Sequence, residues 1–479
     1  MAGVQLAGQM VVGLLLENCR GPVVLSGFAI TSSANPSVHY RAIRVGRSPF
    51  SAKFASPKLR TLGGGGDSSL ALEDGSIIVM GDHGIAIDNE FSTDINLRNV
   101  YFQAAVLVNV DDGKIVTIAG RAGQWLRMPA WSFTMANSGG HLMVRHRNVT
   151  AGPDVLFASY PPAGEVAIAS SPPSESLLWL HSWGNAATLP SWDGPAVIDL
   201  VLDLGATPEW VNATDNDGAK LQQAIDAAAT RGHHWYGRPV FVPHGTFLLR
   251  NTVTLRNGTV LIGGGKHVAT LSFPESASEW PQQAAPMLAT VGCHGCAVFV
   301  SDIALFGIPR CRLADFQAAT LLVRDFKTEL NSSRGSAGFL KKAFPFVSFS
   351  GGAAGGKAYG LSLDHLDVDD DTPPEAGYSL LAVNGTAVDG APGAGLHLYQ
   401  TSVEHLAARQ QLLIAGSSAV HFHSLKYESS DLTYVSHPAY RTGTLMRMEA
   451  SRNVTVFGGS GNYGMLNTSM GGPGIFTVR

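Results

Sequence analysis

No stretch of about 18 or more apolar residues occurs in this 479-residue chain, so no transmembrane helix is expected. Charge is scarce too. Asp, Glu, Lys and Arg make up 15% of the residues, and the net charge is only −4. Without a basic stripe, nucleic acid is not an expected partner. So low a charged fraction also disfavours a mainly helical protein, whose exposed faces would carry more Glu, Lys and Arg. Cysteine is limited to Cys19, Cys293, Cys296 and Cys311. The Cys293-His-Gly-Cys296 spacing is metal-like, but a structural zinc site needs a second ligand pair, and only His294 and Cys311 lie nearby. A disulfide between Cys311 and one of that pair, or buried free thiols, fits better. The Gly-rich pieces Gly63–Asp67 and Gly263–Lys266 lack the P-loop signature and read as turns. No metal and no cofactor is expected.

Glycine, by contrast, is plentiful at 55 residues, which suits a turn-rich, all-β protein. The length suggests about two domains. The stretch from Val197 to Lys266 organises the rest. Val197–Leu204 is a short alternating apolar run that ends in Gly205. Gly218–Arg231 places Leu221, Ile225 and Ala228/Ala229 at helical spacing, and Asp215–Asp217 stand where they can cap the helix and meet its dipole. Val240–Val242, Thr246–Leu249, Val253–Leu255 and Thr259–Ile262 then read as short strands, punctuated by Gly245, Asn257-Gly258 and Gly263–Gly265. One helix followed by many short strands predicts a parallel β-helix whose open apolar end the helix covers.

Read in order, DLGA, Asp215-x-Asp217, LQQAIDAA, PVFVPHGTFLL and TVLIGGG resemble the opening cassette of the pectate-lyase-like β-helix superfamily, most closely the form in glycoside hydrolase family 55. The expected fold class is therefore all-β: a right-handed parallel β-helix (solenoid), two in tandem, with a short capping helix at about 218–231. Residues 1–195 would form the N-terminal β-helix and 196–479 the pectate-lyase-like one. Rung-like runs support both halves. They are Ser76–Asp88, Ile95–Val110, Lys114–Gly120 and His141–Val149 in the first, and Cys296–Phe306, Thr320–Phe326, Tyr359–Val368, Leu380–Val388, Gly395–His405, Leu412–Tyr427 and Leu445–Phe457 in the second. Met1–Leu16 lacks a basic n-region and a cleavage site, and reads as a rung already under way rather than a signal peptide. Seven of the eighteen asparagines sit in Asn-x-Ser/Thr sequons, at Asn148, Asn212, Asn257, Asn331, Asn384, Asn453 and Asn467, so a secreted glycoprotein is expected.

The chemistry is expected between Gly395 and Arg441. The resemblance to family 55 implies that Glu404-His405 matches an E-H pair, that Glu428 in Lys426-Tyr427-Glu428 is the proton-donor glutamate, and that His437-Pro438-Ala439-Tyr440 follows it. Glu404, His405 and Tyr427 would support the acid. Tyr427-Glu428-Ser429-Ser430 departs from the family's usual Thr/Ser-Glu-x-Pro-Tyr. A glycosidase acid must hold its proton near neutral pH, through partial burial or a neighbouring carboxylate. Seven of eight tryptophans fall between Trp125 and Trp235, and Trp183, Trp192 and Trp235 are candidates for stacking on sugar rings. The expected function is a secreted exo-β-1,3-glucanase-like hydrolase of a β-glucan-like polysaccharide. A non-catalytic glycan-binding or structural β-helix protein is the alternative. A calcium-dependent lyase using the acidic run Asp364–Asp371 comes third. Polygalacturonase motifs such as GHG and RIK are missing from the sequence.

Overall fold

A computed structural model describes residues 5–8, 12–16, 22–32, 39–45, 69–90, 95–110, 116–121, 123–135, 141–144, 147–150, 156–159, 167–169, 171–174, 181, 190–194, 196–209, 211–212, 215–228, 238–273, 285–290, 296–307, 312–317, 320–330, 345–350, 356–364, 379–386, 395–404, 410–428, 444–462 and 476–478. The protein is mostly β, with one helix among the described residues. It divides into two compact units. One comprises Met1–Ala187 with Gly458–Ser460, the other Thr188–Phe457 with Gly461–Arg479.

In the larger unit the helix spans Asp217–Ala228 and buries Leu221, Ala224, Ile225 and Ala228, the apolar stripe its spacing predicts. The two aspartates at its start do something other than cap it. Asp217 accepts the backbone N–H of Thr207 at 3.1 Å and of Leu248 at 3.2 Å, which ties the helix to the loop before it and to the strand Gly245–Leu248. Burial raises the pKa of Asp217 despite those bonds. Asp215 accepts from Lys220 Nζ at 2.5 Å and from the Thr207 hydroxyl at 2.6 Å, and the lysine lowers its pKa. The apolar run before the helix pairs only over Ile198–Asp199. There the Asp199 carboxylate accepts the N–H groups of Val201 and Leu202, at 2.8 and 2.9 Å, and turns the chain out of the sheet.

After the helix the chain alternates between two long sheets. One runs through Val240–Val242, Thr259–Gly263, Ala297–Gly307, Thr320–Leu330, Lys357–Tyr359, Leu396–Glu404 and Ser418–Glu428. The other runs through Val253–Leu255, Leu288–Thr290, Ala314–Phe316, Val347–Ser350, Leu381–Asn384, Gln410–Ala415 and Thr444–Glu449. Their pairings are parallel and in register, so like positions stack. Alternate residues such as Val298, Val300, Val323, Leu398 and Phe422 fill the interior, where Phe316 lies 5.5 Å from Phe349 and 5.9 Å from Phe326. Successive rungs of the first sheet break at a left-handed residue, Asp302 (φ 58°), Asp325 (46°), Gly360 (69°), Gln400 (54°) and Ser424 (73°), and Ala419 (55°) adds a second on Ser418–Glu428. Such a residue inserts one extra step into the two-residue period, bends the strand, and lets both halves keep an apolar inner face. The run Leu412–Tyr427, expected as one rung, is two strands in different sheets, because Gly416 (φ 56°) turns the corner between them. Leu445–Phe457 divides in the same way at Ala450 (φ 45°).

The smaller unit begins with the same grammar. Ser69–Ile78 pairs parallel with Pro22–Ser26, Ala29–Ser32 and Ile95–Gln103, and Asp74 on the first and Asn99 on the last are left-handed. Asn99 donates to Asp74 at 2.6 Å, and His181 meets the other Asp74 oxygen at 2.7 Å. Beyond Val110 the parallel order stops. Val116–Ala119 runs antiparallel to Val106–Val110, Leu126–Met135 runs antiparallel to Ile95–Gln103, and His141–Val144 forms a hairpin with Arg147–Thr150 instead of one rung. The physical reason is length. Residues 111–115 are too few for the crossover a parallel return needs, which takes about a dozen.

Candidate functional site

In-register stacking turns sequence spacing into columns on the outer face of the larger unit. One column runs through Phe241, Ile262, Ser301, Arg324, Tyr359, Tyr399 and His423. Two residues earlier on each strand, Phe299, Leu322, Lys357, His397 and His421 stack in another. Beyond the left-handed break, Lys327, Ser362, Ser402 and Lys426 form a third. Asp364, Glu404 and Glu428 form a fourth. Over the first rungs this face is largely apolar. Over Lys357–Asp364, Leu396–Glu404 and Ser418–Glu428 it carries stacked rings, lysines and carboxylates.

The rings there are in contact. Tyr399 lies between Tyr359, at 4.5 Å and 8°, and His423, at 4.4 Å and 11°. His397 Nδ1 is 3.0 Å from His423 Nε2, and His421 Nδ1 is 2.8 Å from the Thr455 hydroxyl. Burial raises the Tyr359 pKa well above the ordinary phenol range, so this hydroxyl keeps its proton, and burial lowers that of Lys357. On the carboxylate column, Glu404 accepts from Lys426 Nζ at 2.7 Å and from the Ser402 hydroxyl.

The expected acid, Glu428, ends its strand directly in register with Glu404, one rung of about 4.8 Å away. Tyr427 shares the row of Val403, a fully buried position. Tyr427 and Glu428 are described by their backbone alone. His405, Trp183 and Trp235, and residues 365–371 of the acidic run, lie outside the described residues. Trp192 is described. It is 56% exposed, and its indole stacks on Phe241 at 5.2 Å. With Ser301, Asp302, Arg324 and Gly263–Gly265 it lines a groove of about 370 Å³. Cys296 is disulfide-bonded, to a partner outside the described residues.

Sequence reasoning missed the ring columns, although they leave a trace. Lys357-Ala-Tyr359, His397-Leu-Tyr399 and His421-Phe-His423 repeat one outer-inner-outer pattern on successive rungs. It also missed Ser301, Asp302 and Arg324, which scattered spacing conceals and only the register unites.

Long parallel sheets and one helix packed at their start make the larger unit consistent with a pectate-lyase-like β-helix. Residues 200–317 match the family model described as rhamnogalacturonase A/epimerase, pectate lyase-like. No curated protein matches the sequence. Among solved structures, sacteLam55A of Streptomyces sp. SirexAA-E is 10% identical over 96% of this chain and 77% of its own, with a TM-score of 0.38. ORF18 of Geobacillus virus E2 is 10% identical over 79% and 68%, with a TM-score of 0.33. The A-module of the mannuronan C-5 epimerase AlgE6 of Azotobacter vinelandii is 14% identical over 59% and 89%, with a TM-score of 0.19. Likeness at this level does not bear on activity.

Proposed function

We propose that this protein is a secreted glycoside hydrolase acting on a polysaccharide, most like an exo-β-1,3-glucanase that works with inversion. Residues 1–195 and 196–479 are taken as two domains in tandem, each built on right-handed parallel β-helix coils, which in the first end at Val110. The single observation that carries the reading is the column Asp364–Glu404–Glu428, with Glu428 one rung from a carboxylate held by Lys426 and Ser402. In this reading Glu428 donates its proton to the glycosidic oxygen as the bond to the anomeric carbon breaks. Water attacks the opposite face of that carbon and gives up a proton to a base. Inversion needs acid and base ~6.5–9.5 Å apart, more than one rung spacing, so Glu404 serves as a positioning residue and not as the base. The disulfide at Cys296 and the sequons support export.

The test is glucose release from laminarin by the purified protein beside its Glu428→Gln variant, with chelator controls. Release that ignores chelator and falls at least ~10²-fold in the variant is expected. Release that persists in the variant removes Glu428 from the role. Retained glucan binding with no release by either protein gives the chain to the non-catalytic class, and release abolished by chelator overturns the metal-free acid–base mechanism.

A further inference from the structure

We propose that the groove between Trp192 and Arg324 is a separate binding site for a neutral hexose unit of a glycan, remote from Glu428. Arg324 stands three rungs from Glu428, roughly 14 Å along the stack. The site therefore goes beyond the hydrolase reading and does not depend on it.

Four observations specify the ligand. The first is the platform. A large indole left 56% exposed is unusual on a folded surface, and here it is held flat against Phe241, at 5.2 Å and 19°. A pyranose ring offers an apolar face of axial C–H groups to such a plane. The second is the floor. Gly263 is required by packing, because a Cβ there would fall 2.1 Å from the Asp302 carbonyl oxygen. Gly263–Gly265 therefore present bare backbone to the groove, and side chains do not obstruct a close approach.

The third is charge. Arg324 pairs with Asp302 at 2.7 Å, and Lys266 pairs with Asp325 at 3.4 Å. Two cations and two anions cancel, while the pairs still offer donors and acceptors side by side. That pattern suits hydroxyl groups and gives no net pull to a phosphate or a uronate. The fourth is an unmet demand. Ser301 is fully buried, and its Oγ has no hydrogen-bond partner among the described residues; neither has Arg324 Nε. Buried polar atoms are ordinarily paired, and both residues line this groove. A ligand hydroxyl supplies the missing partner once a local side-chain shift uncovers these atoms, which are closed to solvent in the free protein. The volume of about 370 Å³ lies at the small end of ligand pockets, which fits a monosaccharide unit rather than a long chain.

The test is fluorine NMR of the full chain carrying 5-fluorotryptophan, in the Glu428→Gln background so that the probe is not consumed. The Trp192 resonance is identified by its loss in Trp192→Phe. Titrated laminaritriose, a neutral β-linked glucose trimer, is expected to shift that resonance saturably. Arg324→Met, checked for an unchanged melting temperature, is expected to weaken the response about tenfold or more, the effect of truncating a principal contact. A Trp192 resonance unmoved at about 10 mM laminaritriose, beyond even millimolar affinity, overturns the proposal. So does a shift produced by digalacturonate alone, or an undiminished response in a folded Arg324→Met protein. Loss of laminarin hydrolysis in Glu428→Gln leaves the titration unaffected, so the two readings fail separately.

Discussion

Adjacent glycines at the floor of the groove make opposite predictions. An added Cβ at Gly263 would lie 2.1 Å from the Asp302 carbonyl oxygen, 2.7 Å from Ile303 Cγ1 and 2.9 Å from Ala269 Cβ. Ordinary carbon–oxygen contact begins about 1 Å farther out, so Gly263→Ala must push the strands Thr259–Gly263 and Ala297–Gly307 apart. Two of the three obstacles are backbone or a short side chain, and neither can swing away. The Asp302 carbonyl also accepts the Gly265 N–H at 3.2 Å, and the same displacement breaks that bond. Overpacking of ~1–3 kcal/mol and a lost hydrogen bond of ~1 kcal/mol give a cost of about 2–4 kcal/mol. In a unit of this size that lowers the melting temperature by roughly 3–7 °C. At Gly264 the nearest atom to an added Cβ is 3.6 Å away, an ordinary contact, so Gly264→Ala is expected to melt within ~1–2 °C of the parent. Thermal unfolding followed by circular dichroism reads both. Equal melting temperatures for the two variants would refute the account of rung packing given above.

Two further outcomes are expected. Asp215→Asn loses the Lys220 pairing and costs ~0.5–1 kcal/mol at neutral pH. Because the folded pKa of Asp215 is lowered, this stabilisation is present above the ordinary carboxylate pKa and is lost as pH falls through the folded value. Parent and variant should therefore converge in acid, and denaturant titrations at pH 7 and pH 3 check it. Ala450 is exposed and left-handed at φ 45°, so Ala450→Gly should stabilise by ~0.5–1 kcal/mol in the same titration; a loss of stability would mean that its methyl packs.

Much of the fold was legible because the helix and the short strands follow local rules. Leu221 and Ile225 announce the helical face, and Val240–Val242 and Val253–Leu255 appear where alternation and turn residues place them. Corners were harder. Ala450 carries no glycine signal, so the strands on either side of it read as one run. The antiparallel return after Val110 follows from a connection length, not from residue type. Of the candidate site, the Glu404–Glu428 pairing was readable as two strand ends, but the neighbour Asp364 was hidden inside an acidic run. Lys426 and Ser402 gain meaning only from register, which sequence does not print. The same holds for Ser301 and Arg324, which lie 23 positions apart in the chain and side by side in the sheet.

A protein whose strands touch mainly the rungs above and below has no single point at which it comes undone. Heat or denaturant can loosen one stretch of the stack while another stays whole. The groove at Trp192 and the carboxylates at Glu404 and Glu428 belong to different rungs of that stack. On the roles proposed for them, grip on a glycan and chemistry upon it would have separate lifetimes, and a half-melted molecule would keep one after losing the other.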